Sequence, residues 1–145
     1  MPRSPLLVLS SALLLAACAT STSPQPEDVP FVVAPVHGPG APAGATNPPT
    51  VRVRDGGLEV LGIISTPSPC HDIDAELRRD ARTLAIVVSA RDDGSEACIA
   101  VLGEFAYAVV VDDLEAGAWR VVVTHAIPGT GWPTTTVLDA EVEVP

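Results

Sequence analysis

The sequence predicts an all-β domain built as a sandwich of two sheets. Three observations support it: polar and apolar residues alternate strictly over several stretches, turn residues recur at regular spacing, and no stretch has convincing helical periodicity. A strand with one apolar face must bury that face against another layer. About seven such strands therefore require two stacked sheets, and we place this domain at residues 50–145.

The clearest alternation predicts a β-hairpin. The residues expected on the apolar faces of its two strands are Ile73, Ala75, Leu77, then Leu84, Ile86, Val88 and Ala90. A turn at Asp80 and Ala81 would connect the strands, and the resulting register would place Cys70 opposite Arg91.

Further strands are expected before and after this hairpin. Residues 51–54 and 58–65 precede it, and residues 99–111 form a long apolar stretch in which Gly103 predicts a bulge or bend. Residues 134–144 alternate again and close the domain. Their inward-facing residues are predicted to be Leu138, Ala140, Val142 and Val144.

Residues 114–123 carry a recognisable pattern. They read Leu-Glu-Ala-Gly-Ala-Trp-Arg-Val-Val-Val, which resembles the Leu-x-x-Gly-x-Tyr-x-Val-x-Val stretch of many immunoglobulin-like and prealbumin-like sandwiches, with Trp119 in place of the aromatic residue. The resemblance implies an immunoglobulin-like sandwich of about seven antiparallel strands. It implies no function, because such folds carry many unrelated activities.

The N-terminus has the pattern of an export signal. A basic start is followed by an apolar run at residues 6–17, which is shorter than the ~20 residues needed to span a bilayer. Leu15, Ala16, Ala17 and Cys18 then resemble the lipobox of bacterial lipoproteins. The resemblance implies a signal peptide at residues 1–17, cleavage before Cys18, and a diacylglycerol group on its thiol. The alternative is an ordinary signal peptide with an incidental cysteine.

A lipid on Cys18 would make the membrane the first partner of the protein, because two or more acyl chains hold a protein stably in a bilayer. Ala19 is not the Asp that retains lipoproteins on the inner membrane of well-studied diderm bacteria. We therefore expect a cell-envelope location, with the outer membrane favoured in a diderm host.

Residues 18–49 are predicted to be a disordered linker. Eight of the fifteen prolines lie here among Ser, Thr, Gly and Ala, and such a stretch could extend to ~100 Å. The short apolar patch at residues 31–36 leaves two interpretations open: a loose segment, or an edge strand added to the domain or to a partner.

Cys70 and Cys98 are expected to form a disulfide. Once Cys18 carries lipid, they remain as a pair in an exported protein, where paired cysteines are usually oxidised. A metal site would need more ligands close to them, and His71 is the single candidate adjacent in sequence.

Charge and motifs argue against several function classes. The net charge of −10, with Arg as the only basic residue type, disfavours nucleic acid and anionic lipid as partners. The sequence lacks the spacing of known catalytic motifs, so we expect a non-catalytic protein without cofactor or metal. A calcium-binding module is the alternative, and its carboxylates would come from Asp72, Asp74, Glu76, from Asp92, Asp93, Glu96, or from Asp112, Asp113 and Glu115.

The loop at residues 127–134 is the candidate binding site. Its glycines and prolines predict a shaped turn that presents Trp132, with Thr130 and His125 beside it. Trp132 could instead fold back as a lid on the sandwich. The expected ligand is an envelope protein or glycan, or a small molecule.

Overall fold

The two-sheet sandwich is confirmed. The computed structural model describes residues 25–145, and that part of the chain contains eight strands and no helix. The strands are β1 (Phe31–Pro35), β2 (Thr50–Arg54), β3 (Gly57–Thr66), β4 (His71–Asp80), β5 (Thr83–Asp92), β6 (Gly103–Val111), β7 (Gly117–Ala126) and β8 (Thr135–Val144).

Each sheet has four strands. The first has the order β1-β6-β3-β2 and the second β4-β5-β7-β8. All neighbouring pairs are antiparallel except β5 and β7, which are parallel. This pair departs from the expected antiparallel arrangement because β6, which lies between β5 and β7 in the chain, belongs to the other sheet. The chain crosses to that sheet and returns in its original direction.

The core lies between the sheets. It contains the predicted apolar faces of β4 and β5, where Leu77, Leu84, Ile86, Val88 and Ala90 are almost completely buried. The inward faces of the other strands complete it, with Leu58, Val60, Ile64, Tyr107, Val109, Val111, Trp119, Val121, Val123 and Val144.

The β4–β5 turn lies one residue later than predicted. Asp80 pairs with Thr83, so Ala81 and Arg82 form the turn, and the amide of Asp93 donates to the carbonyl of Cys70 over 3.2 Å. The predicted register, with Cys70 opposite Arg91, is wrong. The pairing differs from the predicted one by two residues, and such a shift leaves every side chain on its original face.

The stretch at residues 99–102 is not a strand. β6 begins at Gly103, and Ile99, Val101 and Leu102 are 66%, 52% and 68% exposed. A Cβ at Gly103 would collide with Thr66 and with the backbone of Ser68. Gly103 thus marks the place where the chain enters the sheet.

The disulfide is confirmed. Cys70 and Cys98 are bonded, with their Cα atoms 6.0 Å apart. Cys98 lies in the β5–β6 connection rather than at the start of a strand. The disulfide therefore ties this loop to the start of β4.

The N-terminal part of the described chain joins the sandwich. Residues 31–35 form the edge strand β1 on β6, the second of the two interpretations given above for this segment, and Phe31 and Val33 pack against the core. Glu27 forms a β-bridge with Leu77 and an ion pair with Arg79. Ordered structure therefore begins well before residue 50, because Phe31 and Val33 of this proline-rich segment are partly buried against the core.

The predicted signal peptide and Cys18 lie outside the described residues. Within residues 25–145, no helix is long and apolar enough to cross a bilayer.

The two ends of the sandwich differ. We call one the turn end, where short connections at residues 55–56, 81–82 and 112–116 join the strands. The other is the loop end, with the longer connections 36–49, 67–70, 93–102 and 127–134.

Candidate functional site

An open pocket of about 250 Å³ lies at the loop end of the sandwich. It forms where β2 ends its pairing with β3, since Thr50 pairs with Leu61 and the rest of β3 extends beyond β2. One group of lining residues comes from β3 and the β1–β2 connection, and the other from β7, β8 and their loop. They are Asn47, Ile63, Ser65, His125, Ile127, Trp132, Pro133, Thr135 and Val137.

Trp132 contributes an exposed aromatic side chain to this pocket. It is 41% exposed. The hydroxyl of Thr130 donates to the carbonyl of Ile127 over 2.8 Å and accepts from the amide of Trp132 over 3.2 Å. Gly129 has a φ of 80°, a conformation that glycine adopts without strain. The local sequence thus fixes the loop that carries Trp132.

His125 connects the pocket to the core. Its Nε2 lies 2.8 Å from the hydroxyl of Tyr107, which reaches across from the other sheet. The ring of Tyr107 has room because it lies over Gly62, where a Cβ would collide with it. The pair is thus a polar contact between the two sheets.

Burial keeps both members of this pair neutral. Burial lowers the pKa of His125 to about 4 and raises the pKa of Tyr107. A fully buried phenol needs an acceptor for its proton, and the unprotonated Nε2 supplies one. The hydrogen of the neutral imidazole then resides on Nδ1, which leaves that atom as a donor.

The pocket has no charged side chain among its nine lining residues. Four of them offer polar groups: Asn47, Ser65, His125 and Thr135. The others are apolar except for the indole N–H of Trp132. The site can therefore hold a ligand through an aromatic face and neutral hydrogen bonds.

Of the site residues predicted from the sequence, two line the pocket and one stabilises the loop. Trp132 and His125 line the same pocket, and Thr130 holds the loop without lining it. Sequence reasoning missed Asn47, which it assigned to the linker, and Ile63 and Ser65, which it assigned to an ordinary strand. Gly62 was the available signal, because a glycine inside an apolar strand often marks close approach by another group.

The acidic clusters are not brought together as a metal-binding group in the described part of the chain. No group of three or more His, Cys, Asp or Glu side chains there could hold a metal ion. Asp92 and Asp93 instead accept hydrogen bonds from the amides of Gly94 and Ser95 within their own turn, each over 2.8 Å. The side chain of His71 is also in a local contact, since its Nδ1 lies 3.0 Å from the carbonyl of Ser68.

Comparison with known proteins identifies one family. Residues 62–135, just over half of the chain, match the family described as the ORF11 beta-sandwich domain. No curated protein and no solved structure matches the chain. The matched segment runs from β3 to the start of β8 and includes the Trp132 loop.

Proposed function

The chain belongs to the ORF11 beta-sandwich domain family, and from that premise we propose that it is a lipid-anchored, non-catalytic binding module of a bacterial cell envelope. The anchor is the lipid on Cys18, and the binding site is the pocket beside Trp132. In a diderm host the module belongs to the outer membrane.

The observation that carries this proposal is an exposed aromatic pocket at the end of the sandwich opposite Glu27. β1 runs toward the loop end, since Phe31 pairs with Val109 and Pro35 with Phe105. Glu27 contacts Leu77 and Arg79, close to the β4–β5 turn. A chain anchored at Cys18 therefore enters the domain near the turn end, and the pocket is left free to meet a partner.

The chemistry of the pocket supports binding rather than catalysis. His125 is the one titratable residue among its nine lining residues, and its Nε2 is already bonded to Tyr107. Acid–base chemistry near neutral pH needs a group that exchanges protons in that range. A histidine with a pKa of about 4 is a poor candidate for that role.

Membrane anchoring is tested by detergent phase partitioning of the full chain expressed in a bacterial host. We expect the protein in the detergent phase and labelled by radioactive palmitate. Cys18→Ser should move it to the aqueous phase without label. Recovery of the unsubstituted protein in the aqueous phase, without label, would refute the anchor.

Binding at the pocket is tested by retention of envelope components on the immobilised domain. Trp132→Ala should abolish retention of any component that depends on the pocket. Leu102→Ala is the matched control, because Leu102 is also exposed at the loop end but does not line the pocket. Equal retention by both variants and the unsubstituted domain would contradict the proposed site.

A further inference from the structure

We propose that the pocket beside Trp132 holds one ring of an uncharged sugar, so that the module binds a neutral segment of an envelope glycan. The inference rests on the proposed function of the same site and adds the chemical class of its ligand. Three features of the pocket support it: its charge, its aromatic wall and its polar groups.

The first feature is the absence of charged side chains in the pocket, which excludes charged ligands. A bound phosphate or carboxylate would need Arg, Lys or a cluster of backbone amides, and a bound cation would need carboxylates. None of the nine lining residues carries a charge at neutral pH. The net charge of −10 over the chain further disfavours anions through long-range repulsion.

The second feature is a flat, electron-rich wall. The face of an indole ring carries partial negative charge, and one face of a pyranose ring presents several C–H bonds with partial positive charge. The C–H face of a sugar stacked on Trp132 is therefore attracted to the negative face of the indole ring, and both apolar surfaces leave water. The half-exposed indole ring is otherwise an apolar surface left in water.

The third feature is a mixture of donors and acceptors. Each sugar hydroxyl both donates and accepts, so its site must offer both kinds of group. Asn47 and Ser65 provide donors and acceptors, and Nδ1 of His125 provides a donor fixed by the bond from Tyr107. Thr135 provides an acceptor, because its hydroxyl donates to the carbonyl of Pro133 over 3.3 Å. These are neutral groups, which suit hydroxyl and acetamido substituents.

The size of the pocket sets the extent of the ligand. Its volume of about 250 Å³ is below the ~300–1,000 Å³ typical of sites for drug-sized molecules. It accommodates one ring rather than a whole oligosaccharide. Because the pocket is open to solvent, the neighbouring rings of a glycan can continue outside it.

A proline-rich peptide is the main competing ligand, because such peptides also bind aromatic surfaces. Their grooves are lined by aromatic side chains, whereas Trp132 is the single aromatic ring among the pocket residues apart from the imidazole of His125. One stacking surface surrounded by polar groups fits a sugar ring better.

The test is an NMR titration of the indole N–H signals of the full chain without its signal peptide. The protein has two tryptophans, and Trp119 is an internal control because its Nε1 donates to the carbonyl of Glu115 at the turn end. Probes are the neutral trisaccharides chitotriose, maltotriose and mannotriose, an anionic sugar, glucuronic acid, and a decaproline peptide.

We expect at least one neutral trisaccharide to shift the Trp132 signal and leave the Trp119 signal unchanged. Trp132→Ala should weaken that binding about tenfold or more, measured by the amide shifts of Ser65 and Thr135. Trp132→Phe should retain part of it. Leu102→Ala should retain all of it.

Two results would overturn the inference: no response to any neutral trisaccharide at millimolar concentration, or a stronger response to decaproline or glucuronic acid. Such a result does not by itself refute the proposed function. If the immobilised domain still retains an envelope component in a Trp132-dependent way, the site stands and the ligand class is wrong. If that retention fails as well, both proposals fail.

Discussion

The two tryptophans of this protein lie at opposite ends of the sandwich and have opposite environments. Trp119, at the turn end, is 6% exposed, and its Nε1 donates to the carbonyl of Glu115 over 2.9 Å. The guanidinium of Arg82 lies 5.1 Å from the centre of its ring. Trp132, at the loop end, is 41% exposed and lines an open pocket.

The difference separates a packed end of the sandwich from an end with exposed apolar side chains. At the turn end, the side chain of Arg82 joins two connections by donating to the carbonyls of Glu115 and Ala116, each over 3.1 Å. At the loop end, the apolar side chains of Ile99, Val101, Leu102 and Trp132 remain exposed. Loops held by a rigid scaffold are the usual place for binding residues.

Substitution of each tryptophan by alanine gives the largest contrast. Trp119→Ala should lower the free energy of unfolding by about 3–5 kcal/mol, because it leaves a cavity in the core. Trp132→Ala should lower it by less than about 1 kcal/mol, because its ring is half exposed. Urea unfolding followed by circular dichroism measures both. Comparable losses would show that the Trp132 loop is part of the stabilising core.

Removal of the disulfide tests how strongly the loop end is held. The bond closes a loop with a sequence separation of 28 residues, so Cys70→Ser with Cys98→Ser should cost about 3–4 kcal/mol on the chain-entropy model. Calorimetry of the double variant and the oxidised protein measures the difference. Hydrogen exchange should increase first at residues 93–102. Uniform loosening of both ends would contradict a local role for the bond.

Acid should destabilise the protein through His125. The unfolded chain binds a proton on this residue near pH 6.5, whereas burial lowers the pKa of His125 to about 4 in the folded protein. Between these values the unfolded state binds more protons, so stability falls as pH falls from 6.5 to 4. We expect a loss of about 1–3 kcal/mol after allowing for partial exposure.

His125→Gln is the control for this pH effect. Gln has no proton to gain in this range and can still accept a hydrogen bond from Tyr107. Its stability should change less than that of the parent protein between pH 6.5 and 4, as measured by urea unfolding at each pH. The lowered pKa values of Asp93 and Asp139 act below this range, since both start from 3.8. Parallel curves for the two proteins would refute the assignment to His125.

Arg82→Ala should destabilise the turn end much less than Trp119→Ala. It removes hydrogen bonds to two carbonyls and the contact with Trp119, but the side chain is partly exposed and its charge is screened. We expect a loss of about 1 kcal/mol. Arg54→Ala, at the end of β2, is a matched control with an expected effect near zero. Equal effects would show that Arg82 does not fasten the turn end.

The alternation of the sequence predicted most of the strands and the faces they bury, because period 2 directly reports which side chains point inward. It could not fix the hairpin turn. Pairings that differ by two residues, such as Leu77 with Leu84 or with Ile86, bury the same faces. The turn is set by features that the alternation does not report. Ala81 has a φ of 48°, and Arg82 donates hydrogen bonds to the carbonyls of Glu115 and Ala116, which are distant in sequence.

Other differences arise where non-local packing overrides composition. The proline content of residues 18–49 predicted disorder, but residues 31–35 pair with β6, and Phe31 and Val33 pack against the core. Residues 99–102 are apolar enough for a strand, yet they belong to the loop that the disulfide fastens. The pocket itself could not be predicted, since Asn47, Ser65 and Trp132 meet where the pairing between β2 and β3 stops, at Thr50 and Leu61.

The bridge between Glu27 and Leu77 has a consequence for the distance at which the module can act. If Cys18 carries the anchor we propose, only about eight residues separate it from Glu27. A fully extended segment of that length spans at most roughly 30 Å. The strands add roughly 33 Å from one end to the other. The Trp132 pocket therefore samples a thin layer next to the bilayer, and its ligand must come within roughly 60 Å of the lipid headgroups.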